Sequence, residues 1–73
     1  MEWLYLDEDG KEQQVCYGQG VYGMVSMTDN PKAPWRWCYY FDHKELTYVV
    51  EKGLCASEEE AKIFCNEAFG RIE

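Results

Sequence analysis

A chain of 73 residues can form one domain and buries only roughly 60% of its unfolded surface, which excludes a multidomain organisation and implies modest stability. Hydrophobic residues at 47% and aromatics at 16% exclude a solvating or disordered segment, because enough apolar surface is present to offset the ordering of the chain. Fourteen acidic residues against seven basic ones, a formal net charge of -7, repel phosphate backbones and anionic membranes and attract basic protein grooves, which argues against direct nucleic-acid binding. The same charge would also serve simply to keep an aromatic-rich small protein in solution.

The first predicted element is Glu2-Trp3-Leu4-Tyr5-Leu6, rich in strand formers and ended by Asp7-Glu8-Asp9-Gly10, where Asp9-Gly10 is a tight-turn dipeptide. A second strand over residues 12–17 completes a hairpin. Gly18 and Gly20 punctuate the chain before a third extended segment over 21–28, in which Gly23 marks a bulge or the close approach of a large neighbour. Residues 29–34 contain Pro31 and Pro34 and form a loop, since neither proline can sit within a central strand.

The strongest strand signal follows in Trp35-Arg36-Trp37-Cys38-Tyr39-Tyr40-Phe41. Alternation puts Trp35, Trp37, Tyr39 and Phe41 on one face, with Arg36, Cys38 and Tyr40 on the other. Asp42-His43-Lys44-Glu45 reads as a polar turn into a strand over 46–51, where Tyr48 and Val50 alternate with Thr47 and Val49, and Lys52-Gly53 ends that strand. Short connections between sequential strands imply an antiparallel meander. Ser57-Glu58-Glu59-Glu60 is a capping box whose acids suit the amino-terminal end of a helix dipole. A helix is expected over 57–69, with Ala61, Phe64, Cys65, Ala68 and Ile72 as its apolar stripe and Lys62, Asn66 and Glu67 outside. The expected fold is therefore α+β, an antiparallel meander of three to five strands with one C-terminal helix packed on one face, spanning residues 1–73 as a single domain. One helix covers one face of a sheet, so the second face needs the amino-terminal hairpin, another copy of the chain, or a partner.

Cysteines stand at 16, 38, 55 and 65. Met1-Glu2-Trp3 runs into Asp7-Glu8-Asp9 without an apolar signal segment, and no stretch is long and apolar enough to span a bilayer, which points to the cytoplasm and to reduced thiols. A mature fragment stapled by two disulfides is the alternative. The cysteines are spaced too widely for a zinc site and His43 stands alone, so no metal and no cofactor is expected. Gly18-Gln19-Gly20-Val21-Tyr22-Gly23 has the spacing of a dinucleotide loop, but strand formers follow it where a helix must begin. With one histidine in a turn and no nucleophile motif, the chain reads as no enzyme; catalysis would have to rest on Cys38 or His43.

Twelve aromatic residues exceed what one small core encloses, and Trp and Tyr are enriched in binding hot spots. Trp35, Trp37 and Tyr39 are therefore the candidate aromatic contacts with a partner. Asp7, Glu8 and Asp9 at the first turn, and Glu58, Glu59 and Glu60 at the helix start, are candidate acidic contacts that would occupy phosphate sites in a basic groove. Turns and helix starts are also where acids ordinarily belong.

Trp35-Arg36-Trp37, Tyr48-Val49-Val50-Glu51-Lys52-Gly53 and Ala56-Ser57-Glu58-Glu59-Glu60-Ala61-Lys62 together resemble a pattern in many short bacteriophage-encoded proteins. That resemblance covers about half the chain and implies binding to a host factor, as anti-CRISPR, anti-restriction and polymerase-inhibiting proteins do. The order of strands before a helix is also similar to the end of double-stranded RNA-binding domains, but Glu58, Glu59 and Glu60 stand where that family places lysines. Trp3-Leu4-Tyr5-Leu6-Asp7 with Gly10 resembles the opening of a GYF-type peptide-binding module without its Gly-Pro-Phe. The expected function is thus an acidic, cytoplasmic, protein-binding inhibitor of a host defence or nucleic-acid-processing enzyme, acting by steric and electrostatic occlusion of a basic site, of which nucleic-acid mimicry is one form. The alternative is a homodimeric adaptor or scaffold with no inhibitory role.

Overall fold

Five strands and one helix follow one another along the chain: β1 (Leu4–Tyr5), β2 (Glu12–Cys16), β3 (Val21–Met27), β4 (Trp35–His43), β5 (Leu46–Cys55) and α1 (Glu58–Ile72). The structure is a computed structural model that describes residues 2–18, 20–43 and 46–72, and the side chains of these except at 42, 43, 46–48 and 72. The strands form one antiparallel sheet in the order β1-β2-β3-β4-β5, a meander in which each strand pairs with its sequence neighbours. With α1 packed on it, the architecture is the expected α+β meander with a single C-terminal helix.

The first hairpin closes differently from an Asp-Gly turn. Leu6 N donates to Glu12 O at 2.8 Å, and the Asp7 carboxylate accepts from Lys11 N at 2.8 Å, so the loop covers 7–11 and is organised by the Asp7 side chain. Gly10 sits inside it at φ 70°, a conformation that glycine adopts without penalty. The next turn carries positive φ at Gly18 and Gly20 on either side of Gln19, which lies outside the described residues. The proline-bearing loop over 28–34 is held by Thr28, whose backbone N–H donates to Pro34 O at 2.7 Å and whose hydroxyl donates to Ala33 O at 2.8 Å.

Two features of the long hairpin depart from expectation. β4 continues through Asp42 and His43, which were expected in a turn; Lys44, Glu45 and the side chains of His43, Thr47, Tyr48 and Ile72 lie outside the described residues. β5 does not stop at Lys52-Gly53 but runs to Cys55. The reason lies across the ladder, where Gly53 pairs with Trp37 and the indole covers the space of the missing side chain: a Cβ there would fall 2.7 Å from Trp37 Nε1. Glycine is thus required by the ring opposite it rather than by a turn. A register shift places Tyr39 opposite Glu51 but Tyr40 opposite Val49, leaving Val50 as the extra residue and breaking the expected alternation.

Glu60 N donates to Ser57 Oγ at 3.2 Å, the serine half of the expected capping box, and α1 runs three residues beyond the expected end. Its buried stripe is Ala61, Cys65 and Ala68, all small. Small residues let the helix lie close on the sheet, so the strands must supply the volume: Val15, Val25, Trp37, Tyr39 and the adjoining Tyr17. Tyr17 stacks on Phe69 at 4.4 Å, Tyr39 meets Tyr17 edge-on at 5.7 Å, and Phe64 flanks Trp37 at 6.1 Å.

This core contains groups that burial keeps neutral. Tyr17 donates its hydroxyl to Asn66 Oδ1 at 2.7 Å, and burial, with Cys65 and Tyr39 close by, pushes its phenol far above the ordinary value of 10.0. Burial likewise pushes the Cys65 and Cys55 thiols above 9.0, and that of Cys38, half-buried on the other face of the sheet, in the same direction. Folded-state values above the unfolded ones mean that the stabilisation is complete below the unfolded values and is lost as pH rises through them toward the folded ones. The melting temperature should therefore hold up to about pH 9 and fall beyond it, less steeply in Tyr17→Phe; a flat profile to pH 11 would contradict the burial of these groups.

Candidate protein-binding surface

The acidic groups predicted from opposite ends of the chain meet at one end of the molecule. Glu12 pairs with Ser26 and Ser26 with Arg36, while Trp35 pairs with Cys55 just ahead of the helix start, so the 7–11 loop and the first turn of α1 project from the same edge of the sheet. The join between them is Gln13, 1% exposed, whose amide donates to Gly10 O at 3.3 Å and to Glu58 Oε1 at 2.6 Å. One buried amide thereby fixes the hairpin loop and the helix amino terminus relative to each other.

Of the six predicted acids, Asp7 spends one oxygen on the loop backbone, and Asp9 lies 3.9 Å from Lys11. Glu58 is half-buried between Gln13 and Lys62, which approaches to 3.7 Å. Glu8, Glu59 and Glu60 are exposed. Asp29 and Glu12 extend the same edge, lining with Asp7, Lys11, Met27 and Thr28 an open depression of about 300 Å³. The result is a negative rim bridged at its base by Gln13, with carboxylates drawn from both clusters.

The predicted aromatic contacts are placed otherwise. Trp37 and Tyr39 are only 7% and 2% exposed, enclosed between the sheet and the chain's own helix, so they are not surface residues. The expectation that this row faces a partner is corrected: the face carrying Trp35, Trp37 and Tyr39 is the one α1 covers. Trp35, at the acidic end of the row, remains half-buried against the core. An exposed ring at that end comes instead from Tyr5, paired with Gln13 and lying against Gly10. Trp3 is half-buried with the Lys62 ammonium 5.4 Å from its ring centre.

Sequence reasoning missed Gln13 and Tyr5. The signal for Gln13 was present: it lies two residues before Val15 on one strand and so shares its inward face. The amino-terminal hairpin was one candidate cover for the second sheet face, but it is coplanar with the other strands, and that face has no cover among the described residues.

The four cysteines are free, with Cys55 and Cys65 buried and Cys16 exposed. Among the described residues no three His, Cys, Asp or Glu side chains converge as metal ligands, and no helix is long and apolar enough to cross a membrane. Comparison with protein-family models, with curated proteins and with solved structures returns no match.

Proposed function

We propose that this protein is a non-catalytic inhibitor that presents its acidic edge to the basic groove of a nucleic-acid-processing or defence enzyme of a bacterial host. The observation that carries this reading is the Gln13 bridge, a contact spanning 45 residues of the 73, which brings Asp7, Glu8 and Asp9 together with Glu58, Glu59 and Glu60. Carboxylates held on a hairpin loop and a helix start lose little freedom on docking, so their attraction for a cationic groove is not spent on ordering. Tyr5, and the exposed part of Trp35, would supply the apolar contact that Trp37 and Tyr39 cannot. The partial resemblance to short bacteriophage proteins supports the choice of a host enzyme as target.

Affinity capture from a bacterial lysate at low and high salt tests this. A nucleic-acid-binding enzyme should be retained at low salt and released as the Debye length shrinks from ~10 Å toward ~3 Å. Replacing Glu58, Glu59 and Glu60 with glutamine should weaken binding of that enzyme by about tenfold or more, and Asp7→Asn with Asp9→Asn should do likewise. Capture that survives both high salt and these replacements would remove the mimicry.

A further inference from the structure

The face of the sheet turned away from α1 is apolar, open and locally cationic, in a chain whose net charge is -7. Ladder partners share a face, so it is built from rows running across the strands: Leu4, Gln14, Met24, Cys38 and Lys52; then Glu12, Ser26, Arg36 and Leu54; then Cys16, Tyr22, Tyr40 and Val49. Leu4, Leu54 and Val49 are 59%, 55% and 53% exposed on it. A stack of Tyr22 on Tyr40, with ring centres 5.8 Å apart, stiffens one end, and Gln14 donates to the Tyr40 hydroxyl at 2.9 Å.

Arg36 and Lys52 stand in the middle of this surface. Arg36 reaches across to Ser26 Oγ at 3.3 Å, and among the described residues neither cation has a carboxylate within ion-pair distance, whereas Lys11, Lys62 and Arg71 each do. Both cations lie near enough to Cys38 to oppose the rise that burial causes in its thiol. Arg36, Lys52, Gly53 and Leu54 line a depression of about 340 Å³. Cations with no carboxylate partner among the described residues, beside exposed leucine and valine in a chain with twice as many acids as bases, define what fits there: apolar groups flanked by carboxylates.

A second copy fits poorly. Face-to-face packing would bring two Arg36 and two Lys52 side chains into one dry layer, and among the strand residues with described side chains Glu12 is the sole carboxylate each copy contributes to it. An amphipathic helix meets both needs at once, burying an apolar stripe on the exposed Leu54 and half-buried Met24 while its flanking carboxylates reach the cations. We propose that this face docks an acidic amphipathic helix of another protein, its apolar stripe over Met24, Cys38 and Leu54 and its carboxylates on Arg36 and Lys52. The site adjoins the acidic edge at Glu12 but uses charge of the opposite sign, so it does not depend on the reading of that edge.

Three synthetic helices test the proposal by calorimetry and amide chemical shifts on the full chain: a leucine stripe flanked by glutamates, the same stripe flanked by lysines, and a glutamate-rich peptide without the stripe. Net charge repels the first and third alike, so binding of the first alone reports the local face. It should shift the amides of Met24, Arg36, Cys38, Lys52 and Leu54 and leave Ala61 and Cys65 unmoved. Arg36→Gln with Lys52→Gln, both solvent-facing and checked for an unchanged spectrum, should weaken it about tenfold or more. Glu59→Gln with Glu60→Gln, both exposed, should not weaken it, which distinguishes this site from the acidic edge. Equal binding of the glutamate and lysine helices at this face, unchanged affinity in the double glutamine variant, shifts confined to α1, or a dimer in sedimentation that shields the face would each overturn the proposal.

Discussion

Trp37→Ala should cost about 3–5 kcal/mol of folding stability, the range for truncating a buried tryptophan. The whole domain is worth only roughly 4–11 kcal/mol at the usual stability per residue, so the variant should lose a large share of its stability. The magnitude follows from where the ring sits. It is 7% exposed, lies over Gly53 on β5, and has Phe64 of α1 beside it. Removing it leaves a cavity that Gly53 cannot fill, since that position has no side chain to move inward. Urea unfolding followed by circular dichroism measures the effect, and Trp37→Phe should recover a substantial part of the loss by restoring a ring in the same slot. If the tryptophan were instead a partner contact, Trp37→Ala would leave the unfolding free energy within about 0.5 kcal/mol of the parent while abolishing capture. That pattern would also mean that α1 does not lie on this face.

The same residue shows how far the sequence could be read. Alternation correctly put Trp35, Trp37 and Tyr39 on one face, and the Ser57 cap with the helical spacing of Ala61, Cys65 and Ala68 located the helix, although Phe64, expected in the same stripe, is 40% exposed. What alternation does not encode is which face the helix takes, and counting rings against an average core pointed the wrong way. The decisive quantity was the size of the helix stripe. Ala61, Cys65 and Ala68 contribute little volume, so the space between the layers has to be filled from the sheet, and large rings there are a consequence of small residues opposite them. The acidic edge was half legible: each cluster could be named from its turn or cap, but their meeting depends on Gln13 reaching Gly10 and Glu58, a contact spanning 45 residues. The open cationic face was hidden because the hairpin, one candidate cover for it, extends the sheet sideways.

Gly23→Ala should destabilise the protein by about 1–3 kcal/mol, although alanine is ordinarily harmless in a strand. Gly23 lies on β3 directly beneath α1, and a Cβ built on it collides with Cys65 Sγ and falls 2.8 Å from Tyr17 Cε2. Neither neighbour has room to retreat. Cys65 is fully buried, with its thiol directed at Cys38 O at 3.4 Å, and Tyr17 is held by Phe69 on one side and Asn66 at its hydroxyl. The helix must then lift from the sheet, which loosens Ala61 and Ala68 along with Cys65. A double-mutant cycle with Cys65→Ala locates the strain: the second change alone should cost about 1 kcal/mol for a lost buried group, yet in the Gly23→Ala background it should cost less or even stabilise. Simple additivity of the two changes would place the clash on Tyr17 alone. A neutral Gly23→Ala would show that the helix stands farther from the strands than its stripe of small residues requires, and the explanation of the buried aromatic row would fail with it.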